Sequence, residues 1–190
     1  VKDLGIQADG DGLDFFISPQ DQRVGGLPAT PFLALVVGAA HATKRIPMKL
    51  LKEIVTLSSV TVVVLGGKED EATGLELAEW MPEKVINYCG RLRLGQSAFV
   101  LKLAQKVITP DTGLMHIAAA FDQEIISIWG STVPAFGMPP YQVSKSHIVE
   151  VENLSCRPCS KIGFSDCPKG HFKCMMGLDL QRIGQLINQS

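Results

Sequence analysis

This sequence has almost no net charge, few aromatic residues and no long apolar run, and each shortage removes a class of function. Lys and Arg number 18 against 19 Asp and Glu, for a net charge of −1. A general nucleic-acid binder needs a basic face that this balance does not supply. Two Trp and two Tyr do not make a stacking surface for single-stranded nucleic acid. No uninterrupted apolar run is long enough to cross a bilayer, and no secretory signal stands at the front. The sequence also lacks a Walker loop, a Gly-x-Gly-x-x-Gly turn and a His-Glu-x-x-His pair, which removes the usual signatures of P-loop, dinucleotide and zincin chemistry. No Ser–His–Asp arrangement can be argued from spacing, and no low-complexity tract or short repeat is present.

What is there suits a folded α/β domain. At 190 residues and 46% hydrophobic, the chain can bury a sizeable core as one domain, or as one domain with an appendage. It begins with Val1 and a polar, Asp- and Gly-rich stretch, and is therefore expected to be part of a longer protein. Residues 1–31 read as a connector. Residues 32–152 alternate apolar strands with helical periodicity. Strands are expected at Phe32–Val37, Thr61–Leu65, Val85–Asn87, Lys106–Thr109 and Ile125–Trp129, with a sixth at His147–Val151. Helices are expected at Met48–Leu57, Asp70–Trp80, Leu94–Gln105 and Leu114–Phe121. Residues 153–190 read as a Cys-rich tail with a closing helix from Leu178 to Ile187. The alternation predicts a Rossmann-like parallel sheet with helices on both faces, which binds ligands beyond the carboxyl ends of its strands.

The candidate chemistry falls in the turns at those ends. After the first strand, Lys44 and Arg45 offer two adjacent cations for a diphosphate, or are solvated residues ahead of a helix. After the second, Gly66-Gly67-Lys68-Glu69-Asp70-Glu71 offers carboxylates for ribose hydroxyls, or simply charges a helix N-terminus. After the fourth, Asp111-Thr112-Gly113-Leu114 offers amides and a hydroxyl to phosphate at a helix start. Asp111 reads either as a ligand of sugar hydroxyls or as a helix cap. His116, one turn into that helix, reads as a phosphate donor or as a bonded core histidine. After the fifth, Gly130-Ser131-Thr132 could line the same crevice or be an ordinary turn.

Thr109-Pro110-Asp111-Thr112-Gly113-Leu114-Met115-His116-Ile117-Ala118, followed by Ile128-Trp129-Gly130-Ser131-Thr132-Val133-Pro134, resembles the signature of glycosyltransferase family 9. These are the bacterial lipopolysaccharide heptosyltransferases that use ADP-heptose. His41-Ala42-Thr43-Lys44-Arg45-Ile46-Pro47 is similar to the family's segment after the first strand of its C-terminal half, and the resemblance covers roughly residues 30–185. It implies the C-terminal half of a GT-B fold, which binds the nucleotide sugar. The other half would supply most of the acceptor site and the catalytic base. The resemblance implies that Lys44 contacts the diphosphate or the transferred sugar, and that Asp111 binds heptose hydroxyls. Thr112, Gly113 and Leu114 would hold the diphosphate, and His116 would support that turn. An acid among Glu69–Glu71, Asp70 being the closest match, would bind ribose, and Leu92 would line the adenine pocket.

The reaction implied is heptose transfer from ADP-heptose to the lipid A–core oligosaccharide, with no metal required. The expected setting is cytoplasmic, with peripheral association at the inner-membrane face for the full-length protein. The isolated chain is expected to bind nucleotide without turnover. The competing readings are a family 9 transferase with another donor, a non-catalytic nucleotide-binding or zinc-stapled interaction module, and a GT-B-shaped epimerase, for which no paired carboxylates can be assigned.

The tail holds Cys156, Cys159, Cys167 and Cys174, with His171 as a spare ligand. Four thiolates could hold a structural Zn²⁺, form two disulfides, or stay free. Cys156-Arg157-Pro158-Cys159 is similar to a Cys-x-Pro-Cys segment common among family 9 relatives, which leaves the three readings open.

Overall fold

A computed structural model describes residues 2–5, 7, 10–136 and 138–189. Twelve regular elements follow one another among them: β1 (Phe32–Val36), α1 (Met48–Leu57), β2 (Thr61–Leu65), α2 (Glu71–Trp80), β3 (Val85–Asn87), α3 (Leu94–Leu103), β4 (Lys106–Pro110), α4 (Gly113–Ala119), β5 (Ile125–Trp129), β6 (Ser146–Glu150), α5 (Lys173–Met176) and α6 (Leu180–Asn188). The strands form one parallel sheet in the order β3-β2-β1-β4-β5-β6. Chain order reverses between β1 and β4. The chain leaves these two strands for helices on opposite faces of the sheet, α1 on one and α4 on the other, and the crevice between them is the usual ligand position in such sheets.

Strand alternation divides the core in two. Leu33, Leu35, Val62 and Val64 face one side, under α1, α2, α5 and α6. Phe32, Ala34, Val36, Val63 and Leu65 face the other, under α3 and α4. Both faces being covered explains why these strands read as unbroken apolar runs. The tail shares this core. Met175, Ile183, Leu186 and Ile187 join the same cluster as Leu50, Leu51 and Ile54 of α1.

The connector is irregular over its described residues but anchored. Tyr88 donates to the Gly25 carbonyl at 2.6 Å, and Phe15 meets Phe121 edge-on with centroids 6.0 Å apart.

Most other limits fall within two residues of the expectations, and three helices depart from them instructively. Helix α4 starts at Gly113 and ends at Ala119, before Asp122 turns the chain with φ 51°. Helix α6 starts later than expected, because Asp179 caps it by accepting the Arg182 amide at 3.0 Å. The short helix α5 was not anticipated; four residues carry no readable period.

Candidate functional site

The crevice at the β1/β4 divergence carries two ion pairs. Lys44 stands on a single 3-10 turn, Ala42–Lys44, in the loop after β1. Its Nζ lies 2.8 Å from Oδ2 of Asp111, from the loop after β4, with side-chain exposures of 12% and 5%. The Thr132 hydroxyl, from the loop after β5, donates to the same Asp111 oxygen at 2.9 Å. Three loops thus meet at one carboxylate. Asp111 therefore does not cap α4; Thr112 occupies the N-cap position, without a side-chain bond.

The second pair is Arg45 with Asp70. Arg45 donates from Nε to the Ala39 carbonyl at 3.0 Å, and one terminal nitrogen lies 3.4 Å from Asp70 Oδ1. Asp70 Oδ2 accepts the Gly67 amide at 2.9 Å. The Asp70 side chain is only 2% exposed. Burial raises its carboxyl above the usual carboxylate range, and the Gly67 amide and the Arg45 charge offset only part of that cost. The acid expected to meet ribose is therefore occupied by its own loop, while its neighbour Glu69 is exposed.

Beside these pairs lies a cavity of about 400 Å³. Its walls include Gly38, Gly67, Glu69, Asp70, Leu92, Leu94, Thr112 and Leu114. Four residues singled out from sequence, Asp70, Leu92, Thr112 and Leu114, thus line one space. Among the described residues no protein acceptor takes the amides of Thr112, Gly113 or Leu114. Gly113 is exposed, and a methyl placed on it would meet nothing within 4 Å. His116 is half-buried in α4.

Ser131 and Thr132 do not line the cavity. Both are buried, and both brace other loops: Ser131 donates to the Thr43 hydroxyl at 2.9 Å, Thr132 to Asp111. Sequence reasoning missed Thr43 and Arg157. The Arg157 guanidinium is nearly buried and donates to the carbonyls of Gly130, Thr132 and Val151 and to the Glu150 carboxylate. The only local signal for Arg157 is its place inside Cys156-x-x-Cys159.

The tail thiols are free, as is Cys89. Of the three readings open for Cys156, Cys159, Cys167 and Cys174, the disulfides are not formed, and a structural zinc is not shown: among the described residues no three His, Cys, Asp or Glu converge to hold an ion. The thiol of Cys159 donates to the Cys156 carbonyl at 3.0 Å. Cys174 is packed in the core beside Met175. His171 Nδ1 accepts the Lys173 amide at 3.1 Å, which puts the proton of the neutral ring on Nε2, 3.9 Å from the Cys156 sulfur.

Residues 11–166 match the family Glycosyltransferase family 9 (heptosyltransferase). Lipopolysaccharide heptosyltransferase 2 of Salmonella typhimurium is 26% identical over 178 residues, covering 90% of this chain and 47% of its own length. The structure of E. coli ADP-heptose LPS heptosyltransferase II superposes with a TM-score of 0.73 at 19% identity, over 92% of this chain and 52% of that one. E. coli heptosyltransferase WaaC with ADP-2-deoxy-2-fluoro heptose superposes with a TM-score of 0.54 at 24% identity, over 64% of this chain and 38% of that one. These structural likenesses speak to the fold. The chain spans 34–47% of the length of the curated relatives it matches. Among the described residues no helix is long and apolar enough to cross a membrane.

Proposed function

The chain belongs to glycosyltransferase family 9, the heptosyltransferase family, and from that membership we propose that it is the donor-binding, C-terminal half of a GT-B enzyme moving heptose from ADP-heptose to the lipopolysaccharide core. The observation that carries this reading is the meeting of Lys44 and Asp111 across the β1/β4 crevice, beside the cavity lined by Leu92, Thr112 and Leu114. A cation, a carboxylate and open amides then serve three parts of one ligand.

In this reading Lys44 cancels the charge of Asp111, so the dianionic diphosphate is not repelled from the crevice. Asp111 Oδ2 is taken by Lys44 and Thr132, which leaves Oδ1 to accept from a sugar hydroxyl. The amides of Thr112–Leu114 face the diphosphate, with His116 supporting that turn. Arg45 adds positive charge from its pair with Asp70. Leu92 and Leu94 supply an apolar wall for the adenine. The exposed Glu69, rather than the occupied Asp70, accepts from the ribose hydroxyls.

Chemistry follows from this charge layout. The acceptor hydroxyl attacks the anomeric carbon, the bond from that carbon to the diphosphate oxygen breaks, and ADP leaves. Negative charge develops on the departing oxygen, where Lys44 is already placed. The proton of the acceptor goes to a base from the other half of the enzyme. The acceptor is the lipid A–core oligosaccharide, which gives the complete enzyme a peripheral position at the cytoplasmic face of the inner membrane.

Calorimetric titration of this chain with ADP, UDP and GDP tests the reading. Preference for ADP, lost in Lys44→Ala, is expected. Preference for UDP would move the donor to another sugar nucleotide, and no binding at all would leave an interaction module. Heptosyl transfer by this chain alone would contradict the placement of the base.

A further inference from the structure

Lys44 sits on one turn of 3-10 helix whose N-cap makes no side-chain bond. Such a turn does not fix its own side chains. Besides the pair with Asp111 and the bond from Ser131, what holds this one comes from the far end of the chain. We propose that tail residues 157–164 form a strap that positions Lys44 for the diphosphate, with Thr43 as the buried hub; the proposal rests on the donor-site reading above.

Thr43 uses the full hydrogen-bonding capacity of its hydroxyl. Its hydroxyl donates to the Phe164 carbonyl at 3.2 Å and accepts from the Phe164 amide at 2.8 Å and from the Ser131 hydroxyl at 2.9 Å. Its amide also donates to Phe164 O at 3.1 Å, and its carbonyl accepts the Ser131 amide at 3.4 Å. Thr43 and Phe164 are 121 positions apart in sequence. The strap returns to the same node when the Cys159 amide donates to Ser131 O at 3.0 Å.

Gly163 lies directly over the turn. It adopts φ +107°, and a Cβ there would fall 2.7 Å from His41 Cβ and 3.2 Å from Lys44 Cδ. Its amide donates to the Ser160 hydroxyl at 2.7 Å, which holds the strap's own bend. At the other end Arg157 donates to the carbonyls of Gly130 and Thr132. Thr132 in turn donates to Asp111. One segment therefore holds both partners of the Lys44–Asp111 pair: Lys44 through Thr43 and Gly163, Asp111 through Thr132.

The test uses Thr43→Val, Gly163→Ala and Thr43→Ser in the full chain, with two readouts. The first needs no nucleotide: the rate at which a lysine-acylating reagent modifies Lys44, measured by mass spectrometry against the exposed Lys102. The second is calorimetric affinity for ADP and for AMP. Thr43→Val and Gly163→Ala are expected to speed Lys44 acylation several-fold and to weaken ADP about tenfold, the scale of one misplaced charge-assisted hydrogen bond. AMP should change much less, because the strap acts where the second phosphate sits. Thr43→Ser keeps the hydroxyl and should behave as wild type. If Thr43→Val does not fold, Gly163→Ala carries the comparison. Unchanged acylation and unchanged ADP affinity in both variants would overturn the strap, as would equal losses for ADP and AMP. Failure of the wild-type chain to bind ADP would instead remove the donor-site reading, while the acylation rates would still decide what holds Lys44.

Discussion

Asp70 and Gly38 share one contact: the Asp70 carboxylate fills the space where a Cβ on residue 38 would have to go. Gly38 ends the apolar run of β1, so the glycine that stops the strand is also the one that lets the acidic turn after β2 fold inward. The carboxylate then closes its own loop through Gly67 and faces Arg45. Gly38→Ala should expel Asp70 and lower the melting temperature, read by thermal denaturation.

The same relationship separates two acids. Burial raises the Asp70 carboxyl above 3.8, so its ionised form opposes folding at neutral pH. That cost disappears as pH falls through the folded-state value and below the unfolded one. Asp70→Asn keeps an acceptor for the Gly67 amide without the charge, so it should melt at or above the wild-type temperature at neutral pH, the difference closing near pH ~3. ADP affinity should stay within about twofold in Asp70→Asn and fall about tenfold in Glu69→Gln, from the loss of a charged hydrogen-bond acceptor. The reverse order by calorimetry would return the ribose to Asp70.

In the proposed donor site Asp111 serves the sugar and not the phosphates. Asp111→Asn should bind ADP within about threefold of wild type while losing about tenfold or more toward ADP-heptose, since one charge-assisted acceptor is removed from the sugar side only. Parallel titrations with the two ligands measure the split. Equal losses would put Asp111 outside the sugar's reach.

Lys106 anchors the opposite end of the sheet. Its ammonium donates to the carbonyls of Leu186 and Gln189 at 2.8 and 2.7 Å and pairs with Glu124 at 2.9 Å, with its side chain 4% exposed. Lys106→Met takes from Glu124 its shortest ion pair, leaving Lys145 and His147, strips the end of α6 of its donor, and should cost about 3 kcal/mol, the low end of the usual penalty for breaking a buried pair. Burial pushes the Glu124 carboxyl up, but hydrogen bonding and charge from Lys106, with help from Lys145 and His147, bring it below 4.5. A lowered folded-state value stabilises above the unfolded one and is lost as pH falls through it. Wild type should therefore lose stability below pH 4.5 more steeply than Lys106→Met, which denaturant titrations across that range will check.

The five thiols should react in a fixed order. Burial pushes Cys89 up to about 12 and Cys174 up to about 11. Burial also raises Cys167, but the backbone amides of Phe172, Lys169, Gly170 and His171 outweigh it and hold the thiol below its ordinary value. Near neutral pH, Cys167 should be alkylated first, and Cys89 and Cys174 only on unfolding. Peptide mapping after timed alkylation reads the order; early labelling of Cys174 would show that the tail opens.

Local pattern carried most of the fold. The limits of β2, β3 and β5 agree with the apolar runs that predicted them, because strands covered on both faces leave an unbroken signature. The turns after β1, β2 and β4 were legible for a similar reason: a glycine or proline stops each run, and polar residues follow at once after β4 and within three positions after β1 and β2. Thr43, Arg157 and α5 were not legible. Thr43 and Arg157 matter through partners that sequence spacing does not encode, and α5 is too short to show a period.

The sequence by itself determined which residues could reach a common crevice, since strand and helix alternation forces the loops after parallel strands to one edge. Only the tertiary structure decided what each does there: Lys44 against Asp111, Asp70 turned inward, Glu69 left outside, the thiols free. Those outcomes depend on desolvation and on hydrogen-bond partners contributed by distant segments, and neither quantity exists until the chain has closed.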